Sequence, residues 1–192
     1  GDSTRFLPFN RGDGDRAGNP ARDGYRTGYL WEEVWSRDAW LDLLARFVLT
    51  TTDDAGKKVT LFPRYHQWSA VLSLVADARA QGAGQSYLVQ HSAGSGKSNT
   101  IAWLAHRLSS LHDSTDTKVF DKVVVITDRV VLNLQLQETI YQFERTHGVV
   151  AKIDQDSKQL AEALTGERAR IVITTIQKFP HILDEIGSAH AG

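Results

Sequence analysis

Cysteine is absent from all 192 residues, which removes disulfide staples, thiolate metal sites and cysteine nucleophiles together. An intracellular, cytoplasmic setting is the expectation that follows. Methionine is absent as well, at position 1 as elsewhere, and the chain opens Gly1-Asp2-Ser3; we expect it to be excised from a longer protein. No apolar run approaches the roughly 20 residues of a membrane span, and no signal-peptide pattern opens the chain. A charge excess of either sign is missing too. Lys plus Arg number 22 against 23 Asp plus Glu, so a globally basic nucleic-acid binder is not indicated, while a local basic groove stays open. The seven histidines make no metal spacing: His106 and His112 flank a helix end, His147 precedes a glycine, and none has a second ligand at i+4. They read as surface or local hydrogen-bonding residues. At this length the chain buries a proper core, as one domain or one domain with an appendage.

What is present centres on Gln90-His91-Ser92-Ala93-Gly94-Ser95-Gly96-Lys97-Ser98. A short apolar run, Tyr87 to Val89, precedes it and reads as a strand; the apolar-periodic Ile101 to Leu111 follows it and reads as a helix. Strand, loop and helix is the order a phosphate-binding loop requires. Gly94 and Gly96 lack a Cβ, so the backbone is free to curl until its N–H groups converge on the positive end of the next helix. Lys97 is then the catalytic candidate, reaching the β and γ phosphates of a nucleotide, and the Ser98 hydroxyl is the candidate Mg²⁺ ligand. His91, Ser95 and Asn99 complete the loop's nucleotide-binding set. The pattern G-x-x-x-x-G-K-[ST] is met at its last three positions, but His91 stands where its first glycine belongs. A glycine-rich solvent turn is the bland alternative.

Upstream, residues 1 to 30 interleave glycine with arginine and read as loop. Arg5 to Phe9 is a short edge strand or an apolar tether, Pro8 favouring the tether. Trp31 to Leu49 shows helical spacing, with Trp31, Val34, Trp35, Leu41, Leu44 and Val48 largely on one face; such a stripe is core or interdomain contact sooner than a base-stacking platform. Thr50 to Lys58 reads as a turn-rich linker. The expected division is therefore an interdomain linker and helical segment over residues 1–58, then a partial nucleotide-binding lobe over 59–192. In that lobe we expect a helix at Trp68 to Arg79 and a buried strand at Val119 to Ile126. A helix at Val130 to Phe143, a short strand at Val149 to Ile153, a helix at Ser157 to Leu164 and a strand at Arg170 to Thr174 complete the series. Strands alternating with helices make an α/β fold, a parallel sheet with flanking helices, preceded by a loop-rich and helical N-terminal segment.

Three constellations accompany the loop. Gln67, 30 residues before Lys97, follows Phe62, Arg64 and Tyr65; a carboxamide offers adenine a donor and an acceptor at once, and an aromatic or Arg nearby stacks on the base. Thr127-Asp128-Arg129, with Gln135 two turns on, and Thr174-Thr175 with Gln177-Lys178 follow two strands. Ligands bind at the carboxyl ends of strands in open α/β sheets, and hydroxyls, amides and cations there hold nucleic-acid phosphates without reading sequence. Helix capping is the competing role for each cluster. A carboxylate at the end of an apolar strand, which an ATPase of this kind needs to hold Mg²⁺ through water, has Ile182-Leu183-Asp184-Glu185 as its sole candidate, and that stretch reads as helix. Binding without efficient hydrolysis is the expectation for these 192 residues by themselves.

The residues resemble the motor subunit of type I restriction-modification enzymes, between the nuclease domain and the middle of the first helicase lobe. The likeness is carried by Ser3 to Asn10, Gly18-Asn19-Pro20, Tyr29 to Val34, Phe62 to Gln67, Gln90 to Ser98, Ala102 to Leu108, Thr127 to Arg129 and Thr174 to Phe179. It implies an incomplete RecA-like lobe of a superfamily 2 translocase that pulls double-stranded DNA at the expense of ATP and Mg²⁺. It also implies a nuclease domain outside this chain, and methylation and specificity subunits as partners. On this likeness Gln67 takes the adenine-reading place, Lys97 and Ser98 the phosphate and magnesium places, and Thr127 to Arg129 with Thr174-Thr175 the DNA-tracking places. His91 fits this family better than the generic loop. An unrelated phosphate-loop kinase or regulatory nucleotide-binding protein is the alternative, for which no acceptor pocket or lid is visible.

Overall fold

The computed structural model describes residues 9–14, 18–52, 55–128, 130–144, 148–153, 156–179 and 182. The chain divides into two compact units, Gly1–Leu72 and Ser73–Gly192.

In the first unit a π-helical turn, Leu30–Val34, leads into α1, Arg37–Arg46, and then into a hairpin of β1, Leu49–Thr52, antiparallel to β2, Lys58–Leu61. The continuous helix expected from Trp31 is interrupted because Ser36 takes an extended conformation, φ −57° and ψ 144°, which halts the helical ladder and restarts it at Arg37. That break turns the stripe outward: Val34 and Leu43 are buried, whereas Trp31, Trp35, Trp40, Leu41 and Leu44 are exposed. The expected linker at Thr50 is instead strand, since Thr50-Thr51-Thr52 is β-branched and pairs in register with Thr60-Val59-Lys58. An aromatic cluster holds the unit: Phe9 meets Tyr65 at 5.4 Å, and Tyr65 meets Tyr29 and Trp68, each at 5.6 Å, all edge to face. Burial pushes the Tyr29 and Tyr65 phenols above their ordinary range, with Glu33 adding to the effect at Tyr65. Asn19 ties the N-terminal segment down by accepting from the Arg11 and Gly12 backbone at 2.7 and 3.2 Å. The edge strand or apolar tether expected at residues 5–9 is described only at Phe9; the rest lies outside the described residues. α2 spans Tyr65–Gln81.

The second unit carries α3, Lys97–Ser109; β3, Val123–Thr127; α4, Val130–Gln142; β4, Val150–Lys152; α5, Ser157–Thr165; and β5, Ile171–Thr175, closed by a 3-10 turn at Ile176–Lys178. The sheet is parallel, in the order β3-β5-β4. β5 is central and buried along its whole length, as a strand covered on both faces must be. Val172 packs with Ile153, Leu160 and Ile182, and α3 and α4 also lie on the sheet.

Two departures matter for the site. β3 is half-exposed where a buried strand was expected, with Val124 and Ile126 partly in solvent. These residues pair with Val172 and Thr174 and so point to the same face as Val172, which packs against Leu160 of α5. Tyr87 to Val89 forms no strand: residues 85–92 are irregular and Leu88 is 93% exposed. A strand is defined by its ladder partner, and none of the described strands pairs with this segment.

Candidate functional site

The loop after residue 92 is shaped by two left-handed glycines. Gly94 has φ +72° and Gly96 φ +85° with ψ 37°, in the region that only glycine enters without strain. Gly96 is the N-cap of α3, and its carbonyl starts the helix by accepting from Asn99 and Thr100 at 3.1 and 3.2 Å. The first turn of α3 contains no acidic residue, so the positive end of the helix is not neutralised by its own side chains. Lys97 is exposed at that end and folds back over the loop, its Nζ donating to the carbonyls of Ser92 at 2.8 Å and His91 at 3.2 Å. Ser95 is buried, while His91, Ser98 and Asn99 are half-buried. An added Cβ at Gly94 would meet nothing within 4 Å. Lys97 and Ser98, the first two residues of α3, thus bring an ammonium and a hydroxyl together at this end of the helix.

The adenine constellation lies in the first unit. Phe62 is half-exposed with its ring edge-on to Phe9 at 5.7 Å. Gln67 is 3% exposed, and its Oε1 accepts from the Arg64 N–H at 2.8 Å. Its carboxamide thus has one acceptor position committed to closing the first turn of α2.

The two strand-end clusters converge. Register places Thr127 beside Thr175 and Ile126 beside Thr174, and the Gln177 amide donates to the Asp128 carbonyl at 2.8 Å. Asp128 and Gln135 are exposed; Arg129 lies outside the described residues. The β5 hydroxyls are placed differently. Thr174 is 0% and Thr175 4% exposed, and Thr174 Oγ1 has no hydrogen-bond partner among the described residues. Lys178 spends its ammonium on the Ile153 carbonyl at 2.9 Å, at the end of β4. Gln177, two residues after β5, is the side chain that joins the two clusters. Asp184 and Glu185, the carboxylate candidates, lie outside the described residues.

Comparison with known proteins bears on this geometry. The chain is 30% identical over 144 residues to the type I restriction enzyme HindI endonuclease subunit of Haemophilus influenzae, a match covering 72% of this chain and 13% of that protein. It is 28% identical over 138 residues to a protein of Methanocaldococcus jannaschii assigned as the MjaVIIIP type I restriction enzyme endonuclease subunit, covering 65% of this chain and 13% of that one. The chain thus spans about an eighth of the length of these relatives. The profile of SWI2/SNF2 ATPases matches residues 66–190, which takes in the glycine loop, both strand-end clusters and the whole parallel sheet. With a left-handed glycine turn opening α3 and an incomplete α/β lobe around it, the chain belongs to the SWI2/SNF2 ATPase family.

Proposed function

We propose that this chain is the ATP-binding part of the DNA-translocating subunit of a type I restriction endonuclease. ATP-driven movement along double-stranded DNA would lead to cleavage by a nuclease domain outside this chain. The observation that carries the reading is the Gly94–Lys97 turn: two left-handed glycines, a helix whose first turn has no acidic residue and an exposed ammonium are the parts that suit a triphosphate. Lys97 would exchange its carbonyl partners for phosphate oxygens, Ser98 would hold the Mg²⁺ that neutralises the phosphates, and Phe62, Arg64 and Gln67 would receive the adenine.

Residues 59–192 form the nucleotide-binding lobe in this reading and residues 1–58 an interdomain scaffold. The DNA backbone would be met at the strand ends, through Thr127, Asp128, Arg129 and Gln135; Thr174, Thr175 and Lys178 would reach it only by leaving the buried or carbonyl-bonded positions they hold here. Near-zero net charge is compatible with DNA recognition by such a local surface, and methylation and specificity subunits would complete the assembly. The Haemophilus and Methanocaldococcus relatives, both named as type I endonuclease subunits, support the reading. The test is hydrolysis of ATP by the full-length protein with and without duplex DNA. Stimulation by duplex is expected, together with slow hydrolysis by the 192-residue chain alone; equal rates with and without DNA would overturn the translocase assignment.

A further inference from the structure

We propose that His106 is a positioning residue that links the phosphate loop to the DNA-facing strand ends, acting through α4. The inference rests on the ATP and DNA reading above. α3 starts at Lys97, and His106 lies about 13 Å along it, nine residues at 1.5 Å rise. There its Nε2 is 2.9 Å from the Ile140 carbonyl of α4. A carbonyl only accepts, so Nε2 carries the proton. Ile140 is in the last turn of α4, where carbonyls lack a regular helical partner; its oxygen also takes the Phe143 N–H at 3.2 Å. His106 therefore closes the end of α4 from a neighbouring helix. Its ring stacks on Phe143, 6.4 Å between centroids at 17°, and Phe143 meets the buried Trp103 at 5.3 Å.

The opposite end of α4 begins two residues after Asp128, whose carbonyl is held by Gln177. α4 is thus a rod with one end fastened to the phosphate-loop helix and the other attached to the strand-end cluster. Apolar contact between Trp103 and Phe143 would tolerate sliding; a directional bond to one carbonyl fixes the register of the two helices. α4 also carries an unspent group. Gln137, three residues before Ile140, is buried and its Nε2 has no acceptor among the described residues. A second register in which that donor is satisfied would give the seam the two arrangements that coupling between distant sites requires.

Linkage is reciprocal, so the measurement is one ratio: the dissociation constant of β,γ-imido-ATP with Mg²⁺ for the full-length protein, without and with a saturating duplex oligonucleotide. In His106→Leu, which keeps the packing and loses the donor, the ratio is expected to fall about fivefold, the order of one net hydrogen bond, with each ligand's separate affinity unchanged and the melting temperature lowered by no more than about 3 °C. His106→Gln, whose amide is a donor, is expected to restore most of it. A wild-type ratio retained in His106→Leu overturns the proposal; should that variant not fold, His106→Asn, too short to reach, must show the loss. Wild-type protein that binds both ligands without linkage overturns the proposal and leaves the functional reading standing. Failure of the wild type to bind nucleotide removes both.

Discussion

Replacing Lys97 by alanine is the sharpest perturbation of the nucleotide reading, because the structure shows what the ammonium must give up. Its Nζ donates to Ser92 at 2.8 Å and to His91 at 3.2 Å, two carbonyl bonds worth together about 2 kcal/mol after competition with water. A phosphate charge about 4 Å away at an effective dielectric of about 20 attracts it by about 4 kcal/mol. The difference, about 2 kcal/mol, corresponds to binding weakened about thirtyfold in the variant. The same two bonds vanish from the unliganded chain, so Lys97→Ala is also expected to lose at most about 2 kcal/mol of stability in urea. Calorimetric titration with ATP and Mg²⁺ reads the first quantity and denaturant unfolding the second. Lys97→Gln, which keeps a donor for the loop carbonyls but no charge, separates them: stability near wild type, affinity near that of Lys97→Ala. Equal affinity in all three proteins would refute the reasoning.

Three further outcomes follow from particular contacts. Thr174→Val removes a buried hydroxyl with no partner among the described residues; it is expected to stabilise by about 1 kcal/mol, raising the melting temperature by about 3 °C, and a loss of stability would reveal an acceptor for that hydroxyl. Gly94→Ala puts a Cβ into open space at φ +72°, so its cost is conformational, about 1 kcal/mol; a much larger loss in unfolding experiments would mean that the turn is more tightly packed than its surroundings indicate. The Asp113 carboxylate accepts from the Thr115 hydroxyl and from the Thr117 and Thr115 backbone, which holds its pKa below the ordinary 3.8. The unfolded chain therefore binds the proton first as pH falls, so this carboxylate's contribution is present above that value and is lost below it. The stability gap between wild type and Asp113→Asn should accordingly narrow between about pH 6 and pH 3, and a gap that widens would invert the assignment.

Local chemistry determined a good part of this protein without any coordinates. Gly94 and Gly96 announce left-handed backbone because no other residue enters it cheaply. The β-branched runs at Val123 and Ile171 announce parallel strands, and the spacing of Ile101 to Leu111 announces most of α3. Each signal resides within a few consecutive residues, so one chain position is enough to read it. The decisions left to tertiary structure depend on partners distant in sequence. Tyr87 to Val89 has a strand's composition and finds no ladder neighbour among the described residues, whereas Thr50 to Thr52, read as linker, acquires one in β2. Thr174 has the residue type of a phosphate contact, yet the β5 position between two neighbours buries its hydroxyl, and Lys178 is drawn to the Ile153 carbonyl. His106 showed nothing beyond a polar residue on an amphipathic helix until α4 brought the Ile140 carbonyl to within 2.9 Å. A side chain's chemistry is its own, but what it touches is settled by whichever elements pack against it.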